Sequence, residues 1–326
     1  MATAKPLAQG RKFGLPSLIN SPGQSPLLLD LLKTAASHGN ALIALAIWTN
    51  SGLHMPMYFF LANLSLLEIG YTCSVIPTML QSLVSEAGGI SREGCAMQMF
   101  FFTFFGISEC CLLAAMAFDR YMAICSPLHY ANRMSRGVCA QLALVSWGVG
   151  CMVGLGQTNY IFSLNFCGPC EIDHFFCDLP PILALACGDT THNEAAVFVA
   201  AILCISSPFL LIVASYGRIL AAVLIMPSPE SRHKALSTCS SHLLVVTLFY
   251  GSGSVTYLRP KANHSPGMDK LLALFYTVVT SILNPIIYSL RNKEIKAALQ
   301  RILDSDIALK GNSKEIETYS VVTRDA

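Results

Sequence analysis

Two carboxylates stand where charge is costly. Glu68 and Glu109 are each the only formally charged residue in a long apolar block, Pro56–Val84 and Gly94–Phe118. A charge at bilayer depth costs on the order of 2.5 kcal/mol or more, so such groups face the interior of a helix bundle and have a role there. With Asn40, Ser281 and Asn284 they supply a polar layer suited to an ion, a proton or a polar hinge. The bland alternative is a protonated carboxyl that hydrogen-bonds a neighbour. A second constellation, Asp119-Arg120-Tyr121, closes the block that holds Glu109. Arg120 follows Glu109 by about three helical turns, and its guanidinium can reach water or another helix end while its stem stays in apolar surroundings. A plain interface anchor would read the same way. A third is Asn284-Pro285-Ile-Ile-Tyr288. Proline there removes a helix hydrogen bond, and Asn284 can satisfy what is freed, which makes a deformable joint.

Cys167-Gly-Pro-Cys170 copies a redox spacing, but that chemistry needs the first cysteine at a helix N-terminus. Asn165, Phe166 and Asp173 around it predict an irregular loop. Cys167, Cys170, His174 and Cys177 have metal-ligand spacing, which disulfide pairing would consume. No metal, no cofactor and no catalytic residue is assigned.

The elements that must position these groups follow from composition. Of 326 residues, 53% are hydrophobic and only 12% charged, with a mean hydropathy of +0.54. A soluble domain carries about 25% charged residues, so the main solvent of this chain is lipid. The apolar residues gather into Pro56–Val84, Gly94–Phe118, Val138–Phe162, Ala195–Met226, Leu236–Leu258 and Met268–Leu290. Each exceeds the roughly 20 residues a spanning helix needs, and none alternates as barrel strands do. A seventh span, Pro26–Trp48, contains Asp30, Lys33 and His38, so only Gly39–Trp48 reads as good lipid-facing material.

Lys and Arg set the orientation. Arg120, Arg133 and Arg136, then Arg218, Arg232 and Lys234, then Arg291, Lys293, Lys296 and Arg301 fall on one side, the cytoplasm. The segment of residues 163–194 has no Lys or Arg but five carboxylates, and reads as an outer loop. The expected organisation is an extracellular N-terminus over residues 1–25, a seven-helix all-α membrane domain over 26–303 and a polar cytoplasmic tail over 304–326. Asn263-His-Ser265 is a weak glycosylation sequon in an outer loop. Cys95, Cys167, Cys170, Cys177 and Cys187, among thirteen cysteines, lie on the oxidising side, with connectivity open.

Together these motifs resemble one family, the vertebrate olfactory receptors, which are rhodopsin-like seven-helix G-protein-coupled receptors. The resemblance rests on Pro56-Met-Tyr-Phe-Phe-Leu61 with Asn63-Leu-Ser65, Met116-Ala-Phe-Asp-Arg-Tyr-Met-Ala-Ile-Cys125, Ser215-Tyr216, Lys234-Ala-Leu-Ser-Thr-Cys239 and Pro285-Ile-Ile-Tyr-Ser-Leu-Arg-Asn292, and runs from about Gly39 to Leu303. It implies that Arg120, flanked by Asp119 and Tyr121, is a switch residue freed on activation to meet Tyr216 and a Gα subunit. It implies that Asn40, Glu68, Glu109 and Asn284 rearrange with it, along with Pro285 and Tyr288. It also implies that Cys95 pairs with Cys177 and Cys167 with Cys187, leaving Cys170 as the odd thiol, and that a short amphipathic helix follows span seven.

A ligand pocket is expected between spans three, five and six, below the outer loop. Its lining would be Phe102, Thr103, Gly106, Ile107 and Cys110, with Ala200, Ala201 and Cys204, then Tyr250, Gly253, Ser254 and Tyr257, and Thr277 from span seven. That set is apolar with a few hydroxyls and no charge, which suits a small neutral molecule. The implied partners are a small-molecule odorant, a stimulatory olfactory-type G protein that raises cAMP, the lipid bilayer and a trafficking chaperone, with no nucleic acid. The implied location is the plasma membrane, multi-pass. The first 38 residues depart from the family pattern, since Asn20-Ser-Pro22 is no sequon and the first apolar run is interrupted. This admits a second reading as a structurally compromised, non-signalling member. A small transporter would also explain intramembrane carboxylates, but paired halves with helices broken at midplane are not visible.

Overall fold

The computed structural model of the chain describes residues 12–14, 25–84, 89–167, 172, 174–188, 191–257, 272, 275–302 and 304. Lipid offers the backbone no hydrogen-bond partners, so each apolar block closes its own bonds as a helix. In chain order these are α1 (Ser25–Thr49), α2 (Pro56–Val84), α3 (Arg92–Cys125), short α4 (Pro127–Arg133), α5 (Arg136–Phe162), short α6 (Leu179–Leu183), α7 (Thr191–Ile225), α8 (Pro229–Tyr257) and α9 (Thr280–Arg291), with α10 over residues 293–302. Spans one to seven are α1, α2, α3, α5, α7, α8 and α9, a seven-helix bundle. Four of them, α2, α3, α5 and α7, are long and apolar enough to cross a bilayer by length and composition alone. α10 buries Ile295 and Ala298 and exposes Lys293, Glu294 and Lys296, which is the amphipathic pattern expected there.

The helices outrun several apolar blocks. α3 continues two turns past Phe118 to Cys125, because Pro127 ends it by restricting Ser126 and then occupies the first position of α4. α8 starts at Pro229, so its first turns carry Glu230, Arg232 and Lys234 below the apolar stretch. α1 is unbroken from Ser25 to Thr49, one residue beyond the expected span Pro26–Trp48 at each end. Asp30 and His38 are exposed, whereas Ala36, Asn40, Ile43, Ala46 and Ile47 at helical spacing are buried. Span seven is divided by a π-helical turn, Phe275–Val279, ahead of α9.

α3 is the hub and packs against α2, α5 and α7. Its contact with α5 is close because of two glycines. A Cβ on Gly150 would collide with Ser108 and the Phe104 carbonyl, and one on Gly154 would lie 3.1 Å from the Phe100 carbonyl oxygen. Small residues let helix backbones approach where no water drives association. A cross-brace lies nearby, with Trp147 Nε1 donating to Asn63 Oδ1 at 3.1 Å. At the outer end, strand β1 (Lys12–Gly14) pairs antiparallel with β2 (Gly89–Ser91), a feature with no signal in the sequence pattern. The proposed N-terminal segment is otherwise outside the described residues, as are Asn263, Cys170 and the tail after residue 304.

Candidate functional site

The outer loop forms a fixed cover over the bundle. Disulfides join Cys95 to Cys177 and Cys167 to Cys187, with Cα separations of 5.5 and 5.3 Å. The first anchors the loop to the start of α3, and the second closes the loop on itself. Gln98 reinforces the first: its side-chain oxygen accepts from the Cys177 backbone N–H at 2.9 Å, and its amide donates to the Ser74 carbonyl and the Thr78 hydroxyl of α2. Phe176 is fully buried against Phe102, with ring centroids 5.2 Å apart. Cys167 is thus spent on Cys187 and cannot form a redox couple with Cys170. The metal-ligand spacing loses two thiols, Cys167 and Cys177, to disulfides.

Beneath this cover is a cavity of 510 Å³. Of the residues expected to line it, Phe102, Thr103, Gly106, Ile107, Cys110, Ala200, Cys204, Tyr250 and Gly253 do so. The side chains of Ala201 and Tyr257 lie outside the described set. Ser254 and Thr277 are not on the wall. Ser254 is one residue, about 100° of rotation, beyond Gly253. Thr277 sits in the π-helical turn, which packs between α9, α2, α8 and α1.

The wall has contributors that the sequence pattern did not indicate. Val153, Gly156, Gln157 and Tyr160 come from α5, and Tyr71 from α2. Span four takes part because the glycine contact draws α5 against α3. Asp178 and Leu179 come from the loop, so the lining is not free of charge. The Asp178 carboxylate is buried and accepts from the Leu179 N–H at 2.7 Å. It follows Cys177 directly, so the first disulfide is what carries it to the cavity.

Below the cavity lies the polar layer. Glu68 of α2 is 2% exposed and Glu109 of α3 is 3% exposed, and the two carboxyls face one another. Both Ser281 Oγ and Asn284 Nδ2 of α9 donate to Glu68. Asn284 therefore does not satisfy the carbonyl freed by Pro285. That carbonyl belongs to Ser281, four residues earlier, and it accepts instead from Asn40 Nδ2 of α1 at 3.2 Å. Gly39 makes this possible, since a Cβ there would lie 3.2 Å from the Pro285 ring. Tyr250 ties α8 to α3 at the cavity wall: its hydroxyl donates to the carbonyl of Cys110, the residue after Glu109, at 3.1 Å while its ring lines the cavity.

At the opposite end of α3, Arg120 Nη2 donates to Asp119 Oδ2 at 2.8 Å. The other Asp119 oxygen accepts from the Tyr130 hydroxyl of α4 at 2.7 Å. Burial, and then the Asp119 carboxylate beside it, push the Tyr130 phenol above the ordinary tyrosine range, so it stays a donor at neutral pH. Asp119 is fully buried and Arg120 nearly so. Tyr216 does not meet Arg120 here. Its hydroxyl lies 2.8 Å from Nδ1 of His242 on α8, with the rings stacked. Tyr121 packs between the inner ends of α3 and α7, and Tyr288 is buried with no partner for its hydroxyl among the described residues. His242 escaped the sequence reading, although it is the only titratable side chain other than cysteine and tyrosine within Leu236–Leu258. Like Glu68 and Glu109, it stands out as a titratable group in an apolar block.

A family profile described as olfactory receptor matches residues 30–306. Among curated human proteins, the chain is 55% identical to olfactory receptor 10C1 over 286 residues, covering 88% of this chain and 91% of that one. It is 55% identical to olfactory receptor 10A5 over 289 residues, covering 88% and 91%. Similarity to olfactory receptor 10Z1 is 51% over 296 residues, covering 90% and 95%.

Proposed function

The chain belongs to the olfactory receptor family, and on that premise we propose that it binds a small, mostly apolar odorant in the cavity beneath the outer loop and passes the event to a G protein at the opposite end. Binding shifts an equilibrium between helix arrangements by as much as the ligand prefers one of them. In the arrangement described, Asp119 holds Arg120 and is itself held by Tyr130, and Tyr216 is engaged by His242. We read this as the closed state. Activation frees Arg120 to meet Tyr216 and the Gα C-terminus, and a stimulatory olfactory-type G protein then raises cAMP. Glu68, Glu109, Asn40 and Asn284 are the layer that re-pairs between the two ends. The receptor catalyses nothing itself and works in the plasma membrane with its N-terminus outside, reached with the help of a trafficking chaperone.

The observation that carries this reading is the cavity itself, 510 Å³ and largely apolar, with Tyr250 tying α8 to α3 at its wall, one residue from Glu109. The test is a panel of volatile odorants with a cAMP readout on the parent and on Gly106→Leu. Gly106 faces the cavity, and the nearest atom to an added Cβ is Tyr71 at 3.9 Å, so the larger side chain fills space without distorting α3. The expected result is a response in the parent that falls at least ten-fold in the variant at equal surface level. An unchanged response would place the ligand elsewhere.

A further inference from the structure

A second cavity, 800 Å³, opens on the outside of the bundle at the end where Arg120 lies. It lies between α1, the first turns of α2, Met134 just after α4 and the start of α5, and the turn over Ser51–Leu53 closes it below. Leu45, Trp48, Phe59 and Leu66 line it and are exposed, Trp48 to 81%, while Met134 is buried at its base. Asn63 and His54 are the polar side chains inside, and both are already engaged, the Asn63 amide with Trp147 and the Phe59 carbonyl and the His54 ring with the Trp48 carbonyl at 3.3 Å. The interior therefore demands an apolar occupant. The rim differs. Arg136, the first residue of α5, borders the groove, is exposed, and makes no ion pair or hydrogen bond among the described residues. Arg133 is also exposed, three residues before it.

We propose that this groove binds one anionic glycerophospholipid of the cytoplasmic leaflet, with an acyl chain along Trp48 and Phe59 and the headgroup phosphate and carboxylate on Arg136. The proposal rests on the orientation given above, which puts this end in the cytoplasm. It does not depend on odorant binding. The groove supplies what an acyl chain needs, a walled apolar channel open to the bilayer. The rim supplies what distinguishes an anionic lipid from a zwitterionic one, an unpaired cation at the headgroup level, where one arginine favours anionic lipid by about five-fold.

Trp48 is a built-in reporter, because the chain has only two tryptophans and the other is Trp147. The full-length receptor would be reconstituted in phosphatidylcholine nanodiscs containing a fixed mole fraction of lipid brominated on the acyl chain. Fluorescence quenching is measured, and the Trp147 share is obtained from Trp48→Phe. The expected result is that brominated phosphatidylserine occupies the groove about five-fold more than brominated phosphatidylcholine. Arg136→Gln should remove the preference and Arg136→Lys should keep it, both without changing quenching by phosphatidylcholine. Equal quenching by the two phospholipids would overturn the proposal and leave ordinary boundary lipid. So would a preference that survives Arg136→Gln, or relief of the quenching by brominated phosphatidylserine when an equimolar unbrominated sterol is added. Odorant-evoked cAMP is not read in this experiment, so its failure and that of the receptor reading are distinguishable.

Discussion

The two halves of α3 are built on different terms. From Phe104 to Ile107 the helix is only half-buried, with Gly106 and Ile107 bordering an open cavity. From Leu112 to Ala117 every residue is buried, and two residues further on Asp119 is fully enclosed and doubly hydrogen-bonded. Space left empty can be filled by ligands of many shapes and altered one side chain at a time. A packed and paired region has no such latitude, since close-packed interiors move between discrete arrangements and do not deform continuously. If the cavity binds the ligand as proposed, the outer half sets selectivity, and the inner half is where a single substitution is expected to abolish signalling.

The largest expected effect would break the comparison at its outer boundary. Cys177→Ser removes the bond that ties the loop to α3 across 82 residues, a loss of roughly 2–5 kcal/mol. It also releases Gln98 and Asp178 from their positions. Surface labelling should fall at least ten-fold, and a variant that reaches the surface and signals normally would show that the cover is dispensable. Arg120→Ala addresses the inner half. Ligand-driven cAMP should drop to background at equal surface level while odorant binding survives, because the residue is remote from the cavity. Retained signalling would remove the switch role.

Asn40→Ala sharpens the boundary between halves. It strips the Ser281 carbonyl of the donor that replaces the missing Pro285 N–H, and an unsatisfied buried polar group costs about 1–3 kcal/mol. The melting temperature of the purified receptor should fall by several degrees, and no shift would mean that the joint needs no support from α1. The smallest effect concerns α1 itself. Asp or Lys at the centre of an inserted helix costs on the order of 2.5–3.5 kcal/mol. Asp30 is exposed and Lys33 half-buried near the outer end, so most of that cost is relieved by snorkelling. Asp30→Leu with Lys33→Leu should raise surface expression several-fold without altering ligand preference. Labelling equal to the parent would exclude the first helix as a weak point.

Much of this was legible from residue order alone. Helix number and approximate bounds follow from hydropathy, because lipid permits little else of that length. Glu68, Glu109 and Arg120 announce themselves as charges in an apolar background, and the cysteines on one side of the membrane restrict pairing to five thiols. Tyr216 with His242, and Asn40 with Ser281, were not legible. The members of each pair lie on different helices, and the latter are 241 residues apart, so neither period nor spacing brings them together.

The sequence by itself determined which segments cross the membrane, which groups are too costly to face lipid, and so that a polar layer had to exist. Only the tertiary structure decided who pairs within it. Hydropathy is summed along a segment, whereas a hydrogen bond depends on the rotation of each helix about its own axis. That rotation is set by contacts such as Gly150 on Ser108 and Gly39 on Pro285. The Gly150 contact also brings α5 to the cavity wall, and the Cys95–Cys177 bond carries Asp178 there, giving one charge to a pocket whose inward-facing helix residues are all neutral.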